Sequence, residues 1–187
     1  MEPHAWLVFV VLAAVSIAAG VTDARTGQIP NRLTYAAVLI GLAGWSVYGL
    51  VTAGGSGLTA AGGDALIATG LGLGLGLVAF ALGGLGGGDA KLMAAIGAVS
   101  ADWRLTLAAI VYGVAIAAIM AIVVMVRRGL VKQTFTVMLG AALSLRRVER
   151  PTLPGGSPTV PFGVALAAGA VIAGVEHLLA IDYPWSG

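Results

Sequence analysis

Hydrophobic types make up 59% of the 187 residues and charged types only 10%, with a mean hydropathy of +1.00. A soluble domain of this size could not hide so much apolar surface, so the chain is an integral membrane protein. It has no cysteine, which excludes disulfides and cysteine zinc sites, and its two histidines, His4 and His177, lie too far apart in sequence to suggest a metal site.

About 20 apolar residues carry a helix across the hydrocarbon. In chain order, spans are predicted at 5–21, 33–51, 65–85, 90–103, 105–126 and 160–181. The first is preceded by Met1-Glu2-Pro3-His4, which has no basic side chain, so it reads as a retained span and not as a cleaved signal peptide. The fourth is short, Leu92–Ala101 extended by flanking residues. Gln133–Leu145 is apolar but too short to cross and is flanked by Lys132, Arg146 and Arg147, so it is predicted to lie in the interface. The fold expected is all-α, one membrane-embedded domain over residues 1–187 with six crossings.

Charge orients these helices. With both termini outside, Arg25, Arg32, Lys91, Arg127, Arg128, Lys132, Arg146, Arg147 and Arg150 all fall inside, leaving only Arg104 outside. Omitting the short fourth span would move the basic loop after Val126 to the outer side, which argues for keeping it. The net charge of +2 and pI near 9.3 therefore reflect topology. No aromatic platform interleaves the basic residues, so no nucleic-acid partner is expected.

The same topology sorts the aspartates. Asp64, Asp102 and Asp182 fall at outer helix ends, where a solvated or capping role suffices. Asp23 and Asp89 fall on the inner face near the hydrocarbon edge, where a carboxylate is costly. Two on one side suggest a shared site, and paired aspartates activate water. Glu176 and His177 read as an interfacial pair.

Glycine supplies two further signals. Gly70/Gly74 and Gly72/Gly76 have the spacing that lets membrane helices approach closely. The cluster Gly83-Gly84-Leu85-Gly86-Gly87-Gly88 ends at Asp89 and lacks the Gly-Lys-Ser/Thr of a phosphate loop. Gly86 and Gly88 free the backbone of side chains beside the carboxylate and leave room for an extended peptide. Lys91 could steady the pair's charge or the substrate backbone, or simply snorkel to the interface.

The stretch Asp23-Ala24-Arg25-Thr26-Gly27-Gln28-Ile29-Pro30-Asn31-Arg32-Leu33-Thr34 resembles the first aspartate motif of type IV prepilin peptidases. Gly86-Gly87-Gly88-Asp89-Ala90-Lys91 resembles their second, of GxGD form. Val160-Pro161-Phe162-Gly163 resembles the start of a third segment, which usually continues with proline where Val164 stands here. The resemblance implies an aspartic endopeptidase of the bacterial inner membrane with Asp23 and Asp89 catalytic and no metal or organic cofactor. It would remove the basic leader of prepilin or pseudopilin substrates, cutting after a glycine at the cytoplasmic edge of their hydrophobic helix. The chain is similar to the short, peptidase-only type found with tight-adherence (Flp) pili, so no methyltransferase activity is expected. The rival reading is a small proton- or cation-coupled transporter subunit using the same aspartates. A non-catalytic scaffold of a pilus or secretion assembly is a third.

Helix dipoles suggest how a pair would share one proton. Asp23 follows the carboxyl end of the first span, which disfavours charge, whereas Asp89 begins a helix, which favours it. This predicts a protonated Asp23 and an ionised Asp89.

Overall fold

The computed structural model describes residues 3–129 and 161–181; the segment Gln133–Leu145 and Asp182 lie outside the described residues. Among the described residues there are five helices and no strand: α1 (Pro3–Thr26), α2 (Asn31–Ala81), α3 (Gly87–Ser100), α4 (Trp103–Arg127) and α5 (Phe162–Leu178). Apolar segments in lipid take this form because a helix satisfies its own backbone polar groups. The chain divides into two compact units, residues 1–116 with 161–187 and residues 117–160. Both aspartates lie in the first.

Among the described residues, three helices are long and apolar enough to cross a membrane: α1 from His4, α2 and α4. α2 is two arms, because Ala53 and Gly54 leave helical geometry. Gly54 has φ 64° and ψ −144°, a conformation open essentially to glycine alone. The chain reverses there, and the arms run side by side, with Gly49 against Gly57 and Gly62 beside Ser46. The arms, 31–52 and 55–81, measure about 33 and 40 Å at 1.5 Å per residue, so each can span ~30 Å of hydrocarbon. The connection predicted between residues 51 and 65 is thus almost wholly helical, and Asp64 sits within the second arm instead of starting it. That arm ends at Ala81, four residues earlier than predicted, where Gly83 takes φ 76°.

α3 is the central element. It packs on both arms of α2 and also touches α1 and α5, and every residue from Leu92 to Ser100 is buried. Its 14 residues are about 21 Å long, short for a bilayer. A helix enclosed by protein need not match lipid thickness. The close approach comes from Gly72 and Gly76: a Cβ on Gly72 would strike the Met93 carbonyl, and one on Gly76 would lie 2.6 Å from the Ala90 Cα. Gly70 and Gly74, with the same spacing, would meet nothing within 4 Å among the described residues. Trp45 of the first arm donates its indole N–H to the Val99 carbonyl at 3.0 Å.

α1 packs along α5 and meets α2 only sparingly. α5 in turn meets α4 where a Cβ on Gly169 would lie 2.5 Å from the Ala109 carbonyl oxygen. Asp102 caps α4, accepting the Arg104 N–H at 2.7 Å. Its other oxygen lies 3.7 Å from His177, and Glu176 accepts the Tyr112 hydroxyl at 2.8 Å. Glu176 and His177 therefore tie α5 to two different partners and do not pair with each other.

Candidate active site

Asp23 lies in the last turn of α1. The helix stops just beyond it because Gly27 adopts φ 66° and returns its N–H to the Asp23 carbonyl at 2.8 Å. The chain then passes through Gln28 and Ile29 to Pro30, which caps α2 with φ −63°. This short connection forms one wall of a cleft of about 590 Å³ whose opposite wall is Gly86-Gly87-Gly88-Asp89. The two aspartates, 66 positions apart in the sequence, line the same cleft.

Among the described residues, each carboxyl has one backbone donor. Asp89 is the third residue of α3, and its Oδ2 accepts the Gly86 N–H at 3.1 Å. Glycine has no side chain to reciprocate, so this is half of a capping box. Asp23 is buried at 9% exposure, and its Oδ2 accepts the Gly163 N–H at 2.8 Å. Gly163 is the second residue of α5, where backbone N–H groups have no partner within their own helix. A Cβ at Gly163 would lie 2.8 Å from that same Oδ2, so only glycine admits the carboxylate at this distance.

The Asp89 carboxyl is held above its ordinary value near 3.8. Burial is the main cause, the Gly86 N–H opposes it, and the negative charge of Asp23 adds to it. Two carboxyls in one cleft, one of which tightens the hold of the other on its proton, can share that proton.

The remaining residues singled out by the sequence surround the pair. The Gly86 N–H holds Asp89, and Gly88 lies against Ile29, where a Cβ would approach to 3.3 Å. Lys91 donates to the Asn31 side-chain oxygen at 2.8 Å and stands 5.3 Å over the Tyr35 ring. It braces the start of α3 against the start of α2. Among the described residues no group of three or more His, Asp and Glu is placed to hold a metal ion.

The model of the type IV leader peptidase family matches residues 10–126. The chain belongs to that family. Among curated proteins and among solved structures, none matches the chain. The matched stretch contains both aspartates and stops short of α5, so the backbone donor to Asp23 comes from outside the matched region. Sequence reasoning reached Gly163 only as part of the third family-like segment and assigned it no contact. Nothing local indicates that its N–H reaches a residue 140 positions away.

Proposed function

We propose that the chain is a membrane aspartic endopeptidase that removes the leader from prepilin or pseudopilin substrates. The reaction takes place at the cytoplasmic face of the bacterial inner membrane, with six crossings and both termini outside. The observation that carries this reading is the convergence of Asp23 and Asp89 on one cleft within a chain of the leader peptidase family. Catalysis is by Asp23 and Asp89, with water as the nucleophile.

The working assignment of the shared proton is to Asp89, whose proton affinity burial and the Asp23 charge both raise. This reverses the dipole expectation, which counted the ends of α1 and α3 alone. The amino end of α5 also faces Asp23, through Gly163. With Oδ2 of Asp23 engaged as an acceptor, Oδ1 is the oxygen that takes a proton from water. Asp89 donates a hydrogen bond to the scissile carbonyl as hydroxide adds to its carbon. The proton gained by Asp23 passes to the leaving amine as the C–N bond breaks, and the pair returns to its single-proton state. Gly86 positions Asp89, Gly88 keeps the cleft wall free of a side chain, and Lys91 with Asn31 holds the two walls at their spacing.

The test is purified protein in detergent with a leader-bearing substrate. Cleavage after the leader glycine is expected from the wild type, and loss of cleavage from both Asp23→Asn and Asp89→Asn, each at normal levels of inserted protein. Asp64→Asn and Asp102→Asn should process close to normally. Efficient processing by either Asp23→Asn or Asp89→Asn would sink the proposal.

A further inference from the structure

Because α1 and the first arm of α2 touch so little, an apolar groove of about 340 Å³ runs between them. Its walls are two ridges at helical spacing, Val8, Val11 and Val15 on α1 and Ala36, Ile40 and Gly44 on α2. The groove closes at one end on an aromatic cluster. The Tyr48 hydroxyl lies 3.3 Å from His4 Nδ1, and the His4 ring stands edge-on to Trp45 at 5.7 Å. At the other end it reaches Leu33, two residues beyond Asn31, which lines the aspartate cleft. From Leu33 to Tyr48 the helix axis advances about 22 Å, roughly four turns.

We propose that this groove seats the hydrophobic helix of the substrate immediately beyond the cleaved bond, an inference that rests on the peptidase reading above. A substrate cut at the edge of its own membrane helix must place that edge at the aspartates while the helix leads away through lipid. The groove is apolar and begins beside the cleft, and it follows the same two helices whose connection forms the cleft wall. Helices associate in lipid through close packing at small residues, because apolar burial by itself gains little there. Ala36 and Gly44 provide that on the groove wall, with Ile40 between them. Gly44 is not needed by the fold itself. A Cβ there would meet nothing within 4 Å among the described residues, whereas one on Gly41, four residues from Ala37, would strike the Ala98 carbonyl.

Gly44→Leu therefore fills the groove without disturbing the packing of α3. The assay compares a full-length prepilin-type substrate with a soluble peptide that ends a few residues past the leader glycine, both with enzyme in detergent. Gly44→Leu should raise KM for the helix-bearing substrate about tenfold or more and leave kcat/KM for the short peptide within about twofold. Gly74→Leu, on a face of α2 where a Cβ also meets nothing within 4 Å among the described residues, should change neither. Equal effects of Gly44→Leu on both substrates, or none on either, would overturn the proposal in favour of a lipid-filled or purely structural groove. The chain has no cysteine, so Gly44→Cys creates a unique thiol. It should form a disulfide with a cysteine placed mid-helix in the substrate, and Gly74→Cys should not. Crosslinking at 74 and not at 44 would also overturn the proposal, and the crosslink decides the matter where the short peptide is too poor a substrate to assay. A wild type that cleaves neither substrate refutes the peptidase reading itself, a result distinct from failure of the groove.

Discussion

Gly163→Ala is the most informative single substitution, because it adds one methyl group against one carboxyl of the proposed pair. The new Cβ would lie 2.8 Å from Asp23 Oδ2, 2.9 Å from its Cβ and 3.0 Å from its Cγ. Ordinary contact begins near 3.4 Å, so the carboxyl must retreat by about half an ångström or α5 must tilt away. Either response breaks the 2.8 Å bond from the Gly163 N–H. Hydrogen bonds to charged groups contribute about 1.5–3 kcal/mol, which corresponds to about 10- to 150-fold in kcat/KM if the bond also holds Asp23 in the transition state. If Asp23 acts as proposed, the loss should fall on kcat with KM little changed, since Gly163 would then orient a reacting group and not hold the substrate. The assay is steady-state cleavage of a leader-bearing substrate, normalised to folded enzyme. Gly20→Ala is the control. It loads the same α1–α5 contact three residues from Asp23, with its Cβ 3.0 Å from the Ala167 Cβ and nearer to the Val164 and Gly163 backbone than to the carboxyl. A loss there below about threefold separates carboxyl displacement from general loosening of the helix pair. Wild-type kcat/KM in Gly163→Ala, at wild-type levels of folded protein, would refute the positioning argument.

Other predictions concern charge, burial and topology. If Asp89 keeps the proton, activity should fall as pH rises through its elevated pKa, and so persist to higher pH than an ordinary carboxyl would allow. The same shift has a stability sign. Asp89 binds its proton more tightly when folded, so its contribution is fully present below the unfolded pKa and is lost as pH rises through the folded one. Asp89→Asn should therefore raise the Tm at neutral pH and leave it unchanged in acid; a Tm gain confined to acid would contradict the burial argument. Ser16 is fully buried and its hydroxyl has no partner among the described residues, so Ser16→Ala should stabilise by about 1 kcal/mol in denaturation of the detergent-solubilised protein. A loss of that size would mean the hydroxyl is satisfied. Cysteine labelling should report Gly129 on the cytoplasmic side and Thr52 on the outer side; an outer signal at Gly129 would remove α3 as a crossing.

Membrane class, helical content and the two aspartates were legible in the sequence because each follows from a rule that acts along the chain. Hydropathy over about 20 residues marks a helix that lipid will accept, and a family-like motif around Asp23 and Asp89 marks the candidates. Helix ends were less legible. The reversal between the arms of α2 needed only Ala53 and Gly54 to leave helical geometry, where hydropathy suggested a loop, because the small, weakly apolar residues beyond them remain good enough helix formers when packed. Which faces meet was decided only in three dimensions. Gly70/Gly74 and Gly72/Gly76 are equivalent by spacing, yet two residues turn a helix by about 200°, so one pair meets α3 and the other does not. The same holds for the site. Lys91 finds Asn31 across 60 residues, and Asp23 finds the Gly163 N–H across 140, because the packing of α1 on α5 and of α3 on α2 brings them within bonding distance. A hydrogen bond depends on position to a few tenths of an ångström, and in this chain that position is set by close contacts between glycines and facing backbone, which no short stretch of sequence encodes by itself.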